Sequence, residues 1–226
     1  MGLSLSRSAW ARIAPFALFM ALLALRGAWP AEGPAGVDAR WLYALQTVLV
    51  GGLLLVLWRH YGELFSQTLP SAREWLFAFG VGAAVFALWI RLDAPWMLLG
   101  EPTASFVPLD GAGQIDMRLV AFRLAGAALV VPLMEELFWR SFLMRWVDSP
   151  RFEGVDPQTV SLKAVVLSTF VFTLAHTQWL AAVVAGLAYA GLYRHTGKLW
   201  TAVAAHATTN ALLGLWVLHN GRWAFW

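Results

Sequence analysis

What most limits how this chain can fold is a succession of apolar segments that approach the length of a bilayer crossing. They occupy residues 13–28, 41–58, 75–90, 119–146, 164–175, 180–193 and 199–218. A hydrocarbon core of about 30 Å calls for about 20 helical residues, so several of these are short, and short spans are tolerable in helices packed around a cavity. None shows the alternation of a barrel strand, and their Ala, Leu, Gly and Val content suits helix. Backbone N–H and C=O groups in lipid must be bonded internally, which leaves helices as the solution. The expected fold is all-α: a polytopic membrane bundle of seven transmembrane helices around a polar cavity, or eight if Pro132 breaks the long fourth segment in two.

Composition agrees with that reading. The 226 residues are 60% hydrophobic and 13% charged, roughly half the charged share of soluble domains. The 14 Trp suit aromatic belts at the two interfaces. A soluble chain of this size would have to expose large apolar patches. The net charge of +3 comes from scattered Lys and Arg rather than a run, so these read as segment-end anchors on an anionic bilayer, and no nucleic acid is expected as a partner. The absence of cysteine removes disulfides, thiol nucleophiles, palmitoylation and every cysteine-based zinc site.

The first segment, preceded by Arg7 and Arg12, reads as a retained span. A cleaved signal peptide is the competing reading, with small residues at Ala28 and Ala31. Residues 93–117 form a long loop rich in Pro, Gly and acidic residues, with a piece at 94–100 that can dip into the interface. A second polar loop follows at 148–158. No repeat and no separate soluble domain is visible, so the chain divides only into N-terminal membrane helices (1–118) and a C-terminal membrane region (119–226). With the N-terminus on the cytoplasmic side, Arg7, Arg12, Arg59, Arg73, Arg145, Arg151, Lys163, Arg194 and Lys198 fall inside. Arg26, Arg40, Arg91, Arg118 and Arg222 fall outside, and nine against five favours that orientation.

Against this apolar background three polar groupings stand out: Glu135-Glu136 with Arg140, Phe172 with His176, and His206 with Asn210. A charge at helix centre costs roughly 2.5–3.5 kcal/mol on insertion scales, so intramembrane carboxylates are functional-site candidates. Glu136 and Arg140 are four residues apart and share a helix face, so a structural ion pair is the plain alternative. Glu135 lies about 100° round the helix from Glu136, where Arg140 cannot easily serve both, which leaves a buried carboxylate suited to general-base work. His176 alone would be an ordinary core histidine, and His206 with Asn210 an interhelix polar pair. Their coincidence in three segments that hold no other ionisable group, apart from Arg123 and Arg145 near the ends of one, argues for a shared site. Arg123 reads as a snorkelling interfacial residue, and His60, His195 and His219 as interfacial too.

Glu135-Glu136-x-x-x-Arg140, Phe172-x-x-x-His176 and His206-x-x-x-Asn210 resemble, in order and spacing, the three motifs of the CAAX-processing endoprotease and bacteriocin-immunity (Abi) family of intramembrane endopeptidases. The resemblance covers roughly residues 119–218. The stretch 41–64 and Ala87-Leu88-Trp89-Ile90 is similar to the bacterial, exosortase-associated branch of CAAX-protease-related proteins. The resemblance implies an integral protein of the bacterial inner membrane that cleaves membrane-embedded or lipidated peptides without a cofactor. It also implies the roles: Glu135 accepts a proton from the attacking water, and His206 and Asn210 donate to the oxyanion. His176 holds the water or protonates the leaving amine, and Arg140 holds Glu136 ionised and out of the way.

Two other readings stay open at this level. Glu135, His176 and His206 are a legitimate zinc set, although no His-Glu-x-x-His occurs and Asn is a poor ligand. A non-catalytic transporter or immunity protein would use the same polar groups as an ion path, and an internal repeat, which such proteins often carry, is absent. An aspartyl intramembrane protease is excluded, because no aspartate falls inside a span.

Overall fold

The computed structural model describes residues 5–29, 38–65, 68–100 and 106–226. Among these, seven helices carry the fold: α1 (Arg7–Gly27), α2 (Trp41–Val56), α3 (Ala72–Trp89), α4 (Met117–Asp148), α5 (Leu162–Leu174), α6 (Trp179–Thr196) and α7 (Leu199–Asn220). Four of them, α1, α3, α4 and α7, are long and apolar enough to cross a membrane, while α2 and α5 are apolar but shorter. Several helices start before their apolar stretch because a polar residue caps the first turn. Ser6 accepts from the Ala9 N–H, Ser161 from Ala164, and Ser71 and Glu74 form a reciprocal capping box. Helices α6 and α7 stop at Gly197 and Gly221, whose φ of +71° and +64° a side chain would resist.

The helices alternate in direction, and contacts between their ends show it. On the face that holds the N-terminus, Lys198 pairs with Glu74 at 2.8 Å, Ser8 donates to Glu153 at 2.7 Å, and Trp200 Nε1 donates to the Leu64 carbonyl at 3.1 Å. On the opposite face, Gln178 donates to the Trp89 carbonyl at 3.1 Å, Arg222 pairs with Asp93 at 3.2 Å, and Leu99 N–H donates to Thr177 at 2.7 Å. The 94–100 piece lies on that second face as a single turn, Pro95–Met97.

The expected break at Pro132 does not occur: α4 runs unbroken for 32 residues, so there is no eighth helix among the described residues. Its backbone widens instead. Over Gly126–Val130 the hydrogen-bonded ring opens by one residue, so that Val131 N–H reaches the Gly126 carbonyl five positions back. A second wide stretch covers Leu137–Met144. Proline is absorbed similarly in α1, where Pro15 lacks the N–H that would bond Ala11, and the Tyr61 hydroxyl donates to the Ala11 carbonyl at 3.0 Å.

Polarity is arranged inside out. Leu55, Val56, Leu76, Leu129, Leu162 and Phe170 face outward, while Arg12, Glu63, Glu135, Glu136, Arg140, Arg145 and His206 are buried. Arg12 is not the surface anchor that its place at a segment end suggests, because it is buried. Its guanidinium donates to Glu63 and, at 2.8 Å, to the Ser141 hydroxyl, which itself donates to Glu63. This network ties α1 and the α2–α3 connection to α4. Losing one partner of such a buried pair costs about 3–5 kcal/mol, since the other charge is left stranded. Helices α3 and α7 pack most extensively, because Gly82 lets the backbones touch: a Cβ there would sit 2.4 Å from the Ala205 carbonyl oxygen.

Candidate active site

Glu135 and Glu136 leave α4 in different directions, as adjacent helical residues must. Glu135 points into a cavity of about 310 Å³ that is also lined by His176, His206 and Asn210. The four side chains come from α4, the turn just after α5 and the middle of α7, and the fold brings them to one space. Glu135 Oε2 is buried and bonds no described residue. A carboxylate oxygen left so is costly unless water or a bound molecule meets it.

Glu136 and Arg140 stand behind the cavity, fully buried. Arg140 Nε lies 3.2 Å from Glu136 Oε2, but no well-aligned hydrogen bond joins them. The guanidinium rests 4.8 Å from the Phe172 ring centroid and its Nη2 reaches the Gly186 carbonyl at 3.4 Å. Arg140 thus supplies charge compensation rather than directional bonding. Phe172 is more than packing: it floors the guanidinium and contacts the His176 ring at 4.3 Å. Gly186 permits this close approach of α6 to α5, since a Cβ there would meet Thr169 at 2.8 Å.

The directional bond of Glu136 goes elsewhere. Its Oε1 lies 2.9 Å from His206 Nδ1. An ionised carboxylate only accepts, so Nδ1 carries the proton and Nε2 is the nitrogen left for the cavity. Glu136 is therefore not out of the way; it orients His206. His176 is fixed by the same logic, because its Nδ1 lies 2.8 Å from the Phe172 carbonyl, which can only accept. Asn210 donates Nδ2 to the Ala127 carbonyl at 2.8 Å, which leaves its second N–H and its oxygen uncommitted by that bond.

Two residues of this site escaped the sequence reading. Tyr189 stacks on His206 with centroids 4.9 Å apart and planes 17° from parallel. Its hydroxyl donates to Thr209 at 2.7 Å, and Thr209 donates to the Gly82 carbonyl at 2.9 Å. His206 is thus clamped between a carboxylate and an anchored ring. The available signal was a Tyr in the small-residue helix α6 and a Thr beside Asn210, both polar groups in apolar surroundings. Arg123 was misread as well: it does not snorkel outward but lies 4.5 Å from the Tyr43 ring centroid, and it lines the same cavity.

A metal fits this site only in part. Both histidines commit Nδ1 and keep Nε2, as ligating histidines do. Yet among the described residues no three His, Asp or Glu side chains are gathered closely enough to hold an ion.

Residues 117–212, from the start of α4 through most of α7, match the family model described as type II CAAX prenyl endopeptidase Rce1-like. No curated protein and no solved structure matches the chain significantly. The matched stretch contains all three polar groupings and the helices that bear them. With its inside-out helix bundle, the chain is an integral membrane protein, and its residues 117–212 are similar to the CAAX-processing proteases, a family of hydrolases.

Proposed function

We propose that this chain is an intramembrane endopeptidase of glutamate type, cleaving membrane-embedded or lipidated peptides, with residues 119–226 as its catalytic region. The observation that carries the proposal is the convergence of Glu135, His176, His206 and Asn210 on one cavity, with Glu135 Oε2 unpartnered there. Glu135 takes a proton from a water that attacks the scissile carbonyl. His206, oriented through Nδ1 by Glu136, and Asn210 stabilise the developing oxyanion. His176, held through Nδ1 by the Phe172 carbonyl, positions the water at Nε2, receives the abstracted proton from Glu135 there and passes it to the leaving amine.

The cavity runs toward the face away from the N-terminus, since Arg26, Tyr43, Trp89, Arg123 and Trp226 line it. Under the Lys and Arg asymmetry of the loops, that is the extracytoplasmic face, of the bacterial inner membrane on the present reading.

The test is direct. Purified, reconstituted protein is incubated with a library of hydrophobic peptides, and products are identified by mass spectrometry. Products that vanish in Glu135→Gln support the reading. A protein that yields none, or whose Glu135→Gln variant yields the same ones, is not a glutamate peptidase. The metal-assisted variant of this reading is favoured by one observation, that both His176 and His206 engage Nδ1 and leave Nε2 open.

A further inference from the structure

Two arginines in the same cavity have no role in the chemistry above. Arg26 sits in the last turn of α1 and Arg123 in the second turn of α4, and both line the space that holds Glu135. They share one aromatic wall: Arg26 lies 5.3 Å and Arg123 4.5 Å from the Tyr43 ring centroid. Arg123 also faces Phe106 at 5.6 Å and Trp226 at 5.9 Å. Neither guanidinium pairs with an Asp or Glu side chain among the described residues. Arg26 makes one long contact, 3.5 Å to Gln46, and Arg123 Nε is buried without a hydrogen-bond partner.

Arg40, on the same face, shows how a committed arginine looks. It pairs with Asp38 at 2.6 Å, donates to the Val107 carbonyl at 2.8 Å, and donates to the Leu109 carbonyl too. The hydrogen bond from Arg40 holds the Asp38 carboxyl below its ordinary range. Snorkelling does not account for Arg123, because its guanidinium lies across rings and its Nε is out of solvent. Two guanidiniums held within 5.3 Å of one ring centroid, with donors to spare, supply the forked N–H groups that bind an oxyanion.

We infer that Arg26 and Arg123 form a substrate subsite that takes a carboxylate of the bound peptide, either its terminal carboxylate or an acidic side chain. The inference rests on the peptidase reading, since a peptide is the molecule that would occupy both ends of this cavity. Arg123 and Glu135 are twelve positions apart on α4, which at 1.5 Å per residue is about 18 Å. An extended chain covers that in about five residues. The anchored carboxylate therefore lies about five residues from the scissile bond.

The test uses binding in the inactive Glu135→Gln protein, read by anisotropy of dansyl-labelled hydrophobic peptides in detergent. Three peptide probes share one apolar core: a free C-terminal acid, its amide, and an amide with one Glu about five residues past the core centre; a short-chain phosphatidic acid serves as competitor. A carboxylate should tighten binding about tenfold or more over the plain amide, as hydrogen bonds to charged groups do. Arg123→Gln and Arg26→Gln should erase most of that preference without weakening the amide, and Arg123→Lys should keep part of it. The acid and the Glu-bearing amide separate the two carboxylate sources. Equal binding of acid and amide, an equal loss for both in Arg123→Gln, or no binding of any peptide overturns the subsite. Arginine-dependent competition by phosphatidic acid without a carboxylate preference assigns it to a lipid headgroup and also overturns it. If the wild-type protein binds with the carboxylate preference but cleaves nothing, the peptidase reading fails and the subsite stands.

Discussion

Pro132 and Asn210 are linked through a single carbonyl. The wide turn of α4 bonds residue 131 to residue 126, so the next donor in that register belongs to residue 132 and the next acceptor to Ala127. Proline has no N–H, and Asn210 Nδ2 takes the Ala127 oxygen at 2.8 Å. A helix defect thus becomes the anchor of a cavity residue on another helix.

Pro132→Ala restores a backbone donor that competes for Ala127. The expected outcome is turnover lowered about tenfold, the size of one hydrogen bond, with a melting temperature unchanged or raised. Turnover equal to wild type at equal folded yield would show that the proline does not position Asn210.

The two glutamates should fail differently. Glu135→Gln is expected to fold normally and lose about 10²–10⁴-fold in turnover, the range for a lost general base. Glu136→Gln strands Arg140 and releases His206, so its folded yield should fall as well, by a stability loss of about 3–5 kcal/mol. Size-exclusion profiles beside peptide turnover measure both, and a well-folded, fully active Glu136→Gln would discard the orienting role.

Tyr189 separates packing from anchoring. Tyr189→Phe keeps the ring on His206 but drops the bond to Thr209, and should cost turnover a few-fold. Tyr189→Leu removes the stack and should cost about 10²-fold, comparable to losing an oxyanion donor. Equal, small effects in the two would mean that the ring does not hold His206.

Metal dependence is decided by elemental analysis, since chelators reach buried sites poorly. The glutamate reading expects no stoichiometric zinc and activity that survives chelation. About one zinc per chain, lost together with activity in His176→Ala, would replace it with metal-assisted hydrolysis.

The chain contains no cysteine, so single cysteines report topology cleanly. Cysteine placed at Asp93 or Arg222 should react with an impermeant maleimide in intact cells, and at Gln158 or Arg194 only after permeabilisation. The reverse pattern would turn the cavity toward the cytoplasm.

The length and composition of the apolar segments settled the fold class and left seven or eight helices, because lipid admits little else for segments of this length, and the helices follow the apolar stretches closely. Polar residues in those stretches flagged Glu135, His176, His206 and Asn210, since buried polar groups are too costly to be idle. What the sequence did not hold was partnership. Arg140 stood four residues from Glu136 and looked like its ligand, yet the aligned bond to Glu136 comes from His206, seventy positions away. Pro132 looked like a break, and only the opened ring of α4 with Asn210 alongside shows it as a fitting. Arg12 and Arg123 read as end anchors until the packed helices enclosed them. Spacing along one helix fixes which residues share a face, but which face meets which, and so which donor finds which acceptor, is set by close contacts such as Gly82 against Ala205 and Gly186 against Thr169.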